Sequence, residues 1–243
     1  MVQLKYFGDS RDYFKYDLIT SIFEAHLLNR YTFIPMLTDH RDDKEGNRRP
    51  VRKGDKSSKL YDFIMTCKGK SLNHWERWLT PHVLSYHTIK PANEIFFHDE
   101  SRANYWQKFR PLVETDKTLV FLDPDTGLQT GTASYRKRMG PEKYILNDEL
   151  NDVFMRLHPE SLIIVYQHLP NNKHIHGEAT RKKLDQVQSV CCGAFTCAYR
   201  EDDLAFVFVA KSTQIFRRLQ HFLSAYHERS KDKYKEILQL HNH

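Results

Sequence analysis

At 243 residues, with 40% hydrophobic and 13% aromatic residues, the chain has the composition of a globular protein with a sizeable core, which excludes a disordered or fibrous polymer. No stretch approaches the roughly 20 apolar residues a membrane span needs, and no basic segment followed by an apolar run opens the chain, so a cytoplasmic protein is expected. The formal net charge of +6 favours polyanionic partners through counterion release and steering.

In chain order, a first helix is expected from Gly8-Asp9-Ser10, with Asp9 or Ser10 as its cap and Tyr13, Phe14, Leu18, Ile22 and Phe23 at helical spacing. A strand-like run follows at Tyr31–Leu37. The segment His40–Lys59 is rich in Arg, Lys, Asp, Gly and Ser and reads as a long basic loop. Helices are expected at Lys59–Cys67 and Leu72–Trp78, then a strand at Glu94–His98 and a helix at Arg102–Val113. Thr118–Leu122 is an apolar run entering a turn, the pattern of a strand covered on both faces. A helix at Asn147–Leu157 precedes a second such strand, Leu162–Tyr166, which ends at Gln167-His168. A charged helix at Ile175–Val190 leads into a hairpin, Ala194–Tyr199 with Ala205–Ala210. A last helix begins near Thr213 and runs into a charged tail.

This alternation predicts one α/β domain over residues 1–243, Rossmann-like. Its sheet should be mostly parallel, with helices on both faces and a C-terminal antiparallel hairpin. Ligands in such sheets bind beyond the carboxyl ends of the strands. The strand ends at Asp39, Asp123 and His168 should therefore meet at one crevice.

The turn Asp123-Pro124-Asp125-Thr126-Gly127 is the main candidate. A carboxylate ending a buried strand is costly unless it is used or paired, proline fixes the backbone after Asp123, and Gly127 permits a sharp exit. His168 ends the next strand, beside the amides of Gln167 and Asn172, which suit the edge of a base. Asp123, Asp125 and His168 are thus the catalytic candidates. Tyr6 or Phe7 would stack on a base, and Asp9 and Lys15 on the first helix complete the substrate set with Asp39, Gln167 and Asn172. Three basic groups follow strands on the same side. They include Arg48, Arg49, Arg52, Lys53 and Lys56, then Arg136, Lys137 and Arg138, and finally Lys173 with Arg181-Lys182-Lys183. Together they suggest phosphate contacts. The cysteines Cys67, Cys191, Cys192 and Cys197 fit free thiols, and neither they nor His174-Ile175-His176 has the spacing of a metal site. No metal and no cofactor is expected.

The blocks Tyr6-Phe7-Gly8-Asp9 with Asp12-Tyr13-Phe14-Lys15-Tyr16-Asp17-Leu18, Phe121–Leu128 and Val165–His168 resemble a family of largely uncharacterised bacterial proteins. The Asp123-Pro124 turn and the His168 strand are also similar to the two active-site motifs of uracil-DNA-glycosylase-like enzymes. That resemblance implies a hydrolase that excises a base, flipped from DNA, with Asp123 orienting water, Asp125 as its substitute, and His168 stabilising the departing base. Defence-associated glycosylases of this kind attack modified bases in phage DNA, which makes phage DNA the implied partner. Phe121-Leu122 stands where those enzymes carry Gly-Gln, and no His-Pro-Ser loop is present. The strand pattern with its final hairpin is similar, alternatively, to Rossmann-type methyltransferases. Asp123-Pro124-Asp125-Thr126 would then replace their Asp-Pro-Pro-Tyr signature, although Leu37-Thr38-Asp39-His40-Arg41 lacks the glycine-rich turn that cradles S-adenosylmethionine. A non-catalytic nucleic-acid-binding module is the third expectation.

Overall fold

The structure, a computed structural model, describes residues 7–38, 56–88, 101–130, 140–229 and 235–239. Helix α1 (Ser10–Glu24) starts where Asp9 turns its side chain back onto the Arg11 and Asp12 amides, and Gly8 takes a left-handed φ of 90° just before it. Strand β1 (Arg30–Pro35) follows, then α2 (Ser58–Met65), α3 (Asn73–Leu79), β2 (Ser85–His87), α4 (Arg102–Val113) and β3 (Thr118–Asp123). Two short strands, β4 (Gly127–Leu128) and β5 (Tyr144–Ile145), pair parallel beside the main sheet. The chain continues through α5 (Asn147–Arg156), β6 (Leu162–His168), α6 (His176–Val190), the hairpin β7 (Phe195–Glu201) and β8 (Leu204–Ala210), α7 (Thr213–Arg229) and β9 (Glu236–Gln239).

The described strands form a seven-stranded sheet in the order β2-β1-β3-β6-β8-β7-β9. The first four run parallel; β8 pairs antiparallel with β6 and β7, and β9 antiparallel with β7. This is the expected Rossmann-like α/β sheet, with two differences in detail. The hairpin does not end the sheet, because the tail read as merely charged supplies β9 as the edge strand. The strand beside β1 is Ser85–His87, and Glu94–His98 lies outside the described residues.

Both faces of the sheet are covered, so its central strands are apolar on both sides. Leu119 and Phe121 of β3 and Ile164 and Tyr166 of β6 pack toward α1, α2, α3 and α7. Val120, Leu122, Ile163 and Val165 pack toward α4, α5 and α6. The period-two alternation then fixes the strand ends: Asp123 and His168 continue the α1 side, and Gln167 the α6 side. Among the described residues, no helix is long and apolar enough to cross a membrane.

Candidate active site

Helix α1 is buried at every position from Asp12 to Phe23, unlike a surface helix with one apolar stripe. Its charges must therefore find partners inside the protein. Lys15 Nζ donates to Asp12 Oδ1 at 3.0 Å and to Asp123 Oδ2 at 2.9 Å, and lies 4.8 Å from the centre of the Tyr166 ring. Burial pushes the Lys15 ammonium down, but Asp123 and Asp12 outweigh it and hold the lysine charged. Burial raises Asp123 above the ordinary carboxylate range in spite of Lys15. Its Oδ1 is buried and bonds none of the described residues. Further along α1, Asp17 accepts from the Tyr226 hydroxyl at 2.7 Å and the Ser57 amide at 3.1 Å, which ties α1 to α7 and to the start of α2.

The N-terminal turn of α1 adds two more groups. Asp9 Oδ1 accepts from Arg11 N at 2.8 Å and Asp12 N at 3.0 Å, and the side chain's other oxygen bonds none of the described residues. Burial, with the neighbouring Asp12 charge, pushes the Asp9 carboxyl up to about 6. Arg11 Nη2 donates to Asp203 Oδ2 at 2.7 Å in the β7–β8 turn, and His168 Nε2 is 3.8 Å from the same oxygen. His168 Nδ1 lies 3.0 Å from the Leu169 carbonyl, which can only accept, so Nδ1 carries the proton and Nε2 presents a lone pair. Burial and the Arg11 charge lower His168 to about 4, so the ring is neutral at physiological pH. Among the described residues, the carboxylates of Asp9, Asp12, Asp123 and Asp203 outnumber the cations Arg11 and Lys15 at this edge.

Sequence reasoning placed Asp123 and His168 at one edge, and the parallel pairing of β1, β3 and β6 puts them there. Their roles differ from those expected. Asp123 is locked to Lys15 and does not reach an open crevice. His168, neutral and with its only ring proton on the Leu169 carbonyl, is an acceptor and not the donor a departing base requires. Asp125 is also buried and lies 3.2 Å from Lys143 Nζ, so it shapes the turn. The Gln167 amide holds the turn: Oε1 accepts from Leu128 N at 2.9 Å, and Nε2 donates to the carbonyls of Thr126 and His168. It staples the turn, and both of its N–H donors are used there.

Phe7 is a core residue, 3% exposed, packed edge-on against Tyr16. Asn172 caps the His174 amide at 3.1 Å, and Lys173 pairs with Asp202 at 2.9 Å. Lys56 is buried between Glu201, at 3.1 Å, and the Tyr226 hydroxyl, at 3.2 Å, so it anchors the chain and is withdrawn from any phosphate surface. His176 is buried against the Pro170 carbonyl, and among the described residues no cluster of His, Cys, Asp and Glu is arranged to hold a metal ion. Tyr6, Asp39, Arg48, Arg49, Arg52, Lys53, Arg136, Lys137 and Arg138 lie outside the described residues.

Gly127 shows how tightly the turn is built. Its φ is 137°, and a Cβ there would lie 2.4 Å from Gln167 Oε1, an atom fixed by its own hydrogen bond. Gly127→Ala should lower stability by about 1–3 kcal/mol, the usual cost of a strained backbone position. A urea titration matching wild type would show that the staple is not rigid.

Arg11 was missed, and Lys183 was read only as one of a group of phosphate contacts. Arg11 is isolated in sequence from Asp203, and only the fold joins them. Lys183 sits in a basic triplet, but helical periodicity separates it from its neighbours. Thr180, Leu184 and Val187 face the core, and Lys183 flanks them while Arg181 and Lys182 point outward. Its Nζ donates to the carbonyls of Leu128 at 3.1 Å and Gln129 at 2.7 Å and to Gln186 Oε1 at 3.1 Å. Burial lowers this lysine to about 8. Compared with known protein families and with curated proteins, the chain matches none of them.

Proposed function

We infer that the protein hydrolyses the N-glycosidic bond of a base in DNA, at the carboxyl edge of β3 and β6. The observation that carries this reading is the gathering, among the described residues, of the carboxylates of Asp9, Asp12, Asp123 and Asp203 at this edge, with the Asp9 carboxyl raised to about 6. Carboxylates gathered at one edge favour a transition state in which positive charge develops on a sugar ring. Asp9, with a value close to the working pH, is suited to remove a proton from water, whereas Asp123 is held by Lys15. Water oxygen bonds the sugar carbon, the bond to the base nitrogen breaks, and its electron pair leaves with the base. The water proton passes to Asp9 and from there to the released base. His168 accepts an N–H from the base through Nε2. The base must leave the helical stack to reach these groups.

The partner side of this reading rests on charge. Arg48→Glu with Arg49→Glu should weaken DNA binding for all sequences alike and reduce the slope of affinity against salt by about 2. Titrations at several salt concentrations check this, and an unchanged slope removes that segment from the DNA contact. The reaction itself is tested by release of free base from duplexes with ordinary and phage-type modified cytosines, followed by alkaline cleavage at abasic sites.

A second reading, methyl transfer from S-adenosylmethionine, has one observation in its favour. Strand β8 runs reversed between β6 and β7, which strengthens the similarity of the strand order to Rossmann-type methyltransferases. Against it, β1 leads into Met36, Leu37 and Thr38, all buried side chains where a cofactor-cradling turn needs glycine. Calorimetry with S-adenosylmethionine separates the two readings.

A further inference from the structure

We propose that the cavity between the Thr126–Thr130 turn and α6 is a nucleobase pocket, and that Lys183 meets the oxygen of the departing base. The proposal rests on the glycosidic reading above and adds to it the place of the leaving group and the group that receives its charge.

The cavity has a volume of about 380 Å³, toward the small end of ligand sites and the size of one heterocycle with its sugar. Its apolar walls come from Leu128, Leu169, Pro170 and Ala179. His168, whose Nε2 lies 3.8 Å from Asp203 Oδ2, is shared between its lining and the edge that carries the carboxylates. Two polar groups in its lining stand out. The Thr130 hydroxyl is buried and bonds none of the described residues. Lys183 reaches the cavity with no carboxylate of the described residues in ion-pair distance, so its charge is uncompensated by any anion there.

The bonds of Lys183 indicate how it would work. Two are to backbone carbonyls of the turn and fix the ammonium. The third is to the Gln186 side chain, whose amide nitrogen is held separately by Gln129 O at 3.1 Å and Asn147 Oδ1 at 2.7 Å. A ligand oxygen can take the place of Gln186 Oε1 without disturbing the carbonyl pair. When the glycosidic bond breaks, the electron pair that leaves with a carbonyl-bearing base is spread onto its oxygen. An ammonium fixed there in advance, in a largely apolar cavity, stabilises that charge. The base then takes the proton that Asp9 removed from water, and the lysine keeps its own.

The test uses the full chain and two readouts. Free uracil, cytosine, 5-hydroxymethylcytosine, adenine and guanine are titrated by ligand-observed NMR, and base release is measured under single-turnover conditions. At least one free base should bind wild type. Ala179→Trp fills the cavity from the first turns of α6, leaves the carbonyl staple alone, and should abolish both binding and release. Lys183→Met should weaken base binding about tenfold and slow release about 100-fold or more, at unchanged DNA affinity, while Lys183→Arg restores part of both. Melting curves confirm that each variant is folded. Base binding that survives Ala179→Trp overturns the pocket, as does saturable binding of S-adenosylmethionine alone with no free base bound. Release at the wild-type rate by Ala179→Trp overturns the pocket and leaves the glycosidic reading standing. Base binding that Ala179→Trp and Lys183→Met both remove, from a wild type that releases no base, supports the pocket and overturns the glycosidic reading.

Discussion

Lys15→Met should lower the stability of the folded protein by about 3–5 kcal/mol, the range for breaking a buried ion pair by removing one partner. The reason is specific to this lysine. Lys15 and Asp123 have side chains only 3% and 2% exposed, and Lys15 is also the partner of Asp12. Removing the ammonium leaves two carboxylates near one another without solvent. The double variant Lys15→Met with Asp123→Asn removes one of those charges and should recover a large part of the loss, since an apolar or neutral replacement of a whole pair is often close to neutral. Urea denaturation of the four proteins gives the coupling directly. A loss below about 1 kcal/mol in the single variant, typical of an exposed pair, would show that the pair is open to solvent.

Asp9→Asn should have the opposite balance, losing activity without losing stability. Asparagine caps a helix as well as aspartate does, so the bonds to Arg11 N and Asp12 N persist. The folded-state value for Asp9, about 6, lies above the ordinary 3.8, so folding favours the protonated form. The stability this contributes is complete below about 3.8 and is lost as pH rises through about 6. Asparagine does not ionise, so that decline should vanish and the variant should be at least as stable as wild type at pH 7.5. As a base toward water, Asp9 must be ionised, so wild-type kcat/KM should rise with pH through about 6. In the variant, base release should fall about 100- to 1000-fold. Full activity in Asp9→Asn would remove Asp9 from the chemistry, and an unchanged stability slope would show that the titrating group is another one.

These two positions also mark what could be read from the sequence. The caps, the apolar runs and the turn glycine are local signals, and they place α1, β3, α4, α5, β6, α6 and the hairpin within a few residues of where they lie. Asp123 and His168 were legible as strand ends, because a charge that follows a buried run stands out. The pairing that decides their roles was not legible. Lys15 and Asp123 are 108 residues apart, and nothing local distinguishes a lysine that closes an ion pair from one that meets a substrate. The Gln167 amide likewise looked free, and only the folded turn shows its three bonds. Strand β9 was missed because Glu236–Gln239 is short and half polar and forms only by pairing with β7. The buried face of α1 was underestimated for a related reason. Asp12, Lys15 and Asp17 satisfy one another or distant residues, so the helix is core on all sides while its sequence looks amphipathic and charged.

The most direct measurement is a single-turnover reaction in heavy-oxygen water on duplexes carrying ordinary and phage-type modified bases, read by mass spectrometry of both products. Hydrolysis of the glycosidic bond predicts free base and an abasic strand in equal amounts, with one heavy oxygen on the sugar carbon that held the base and none on the base. Intact strands with every substrate, together with a methyl group transferred to a base when S-adenosylmethionine is added, would contradict it.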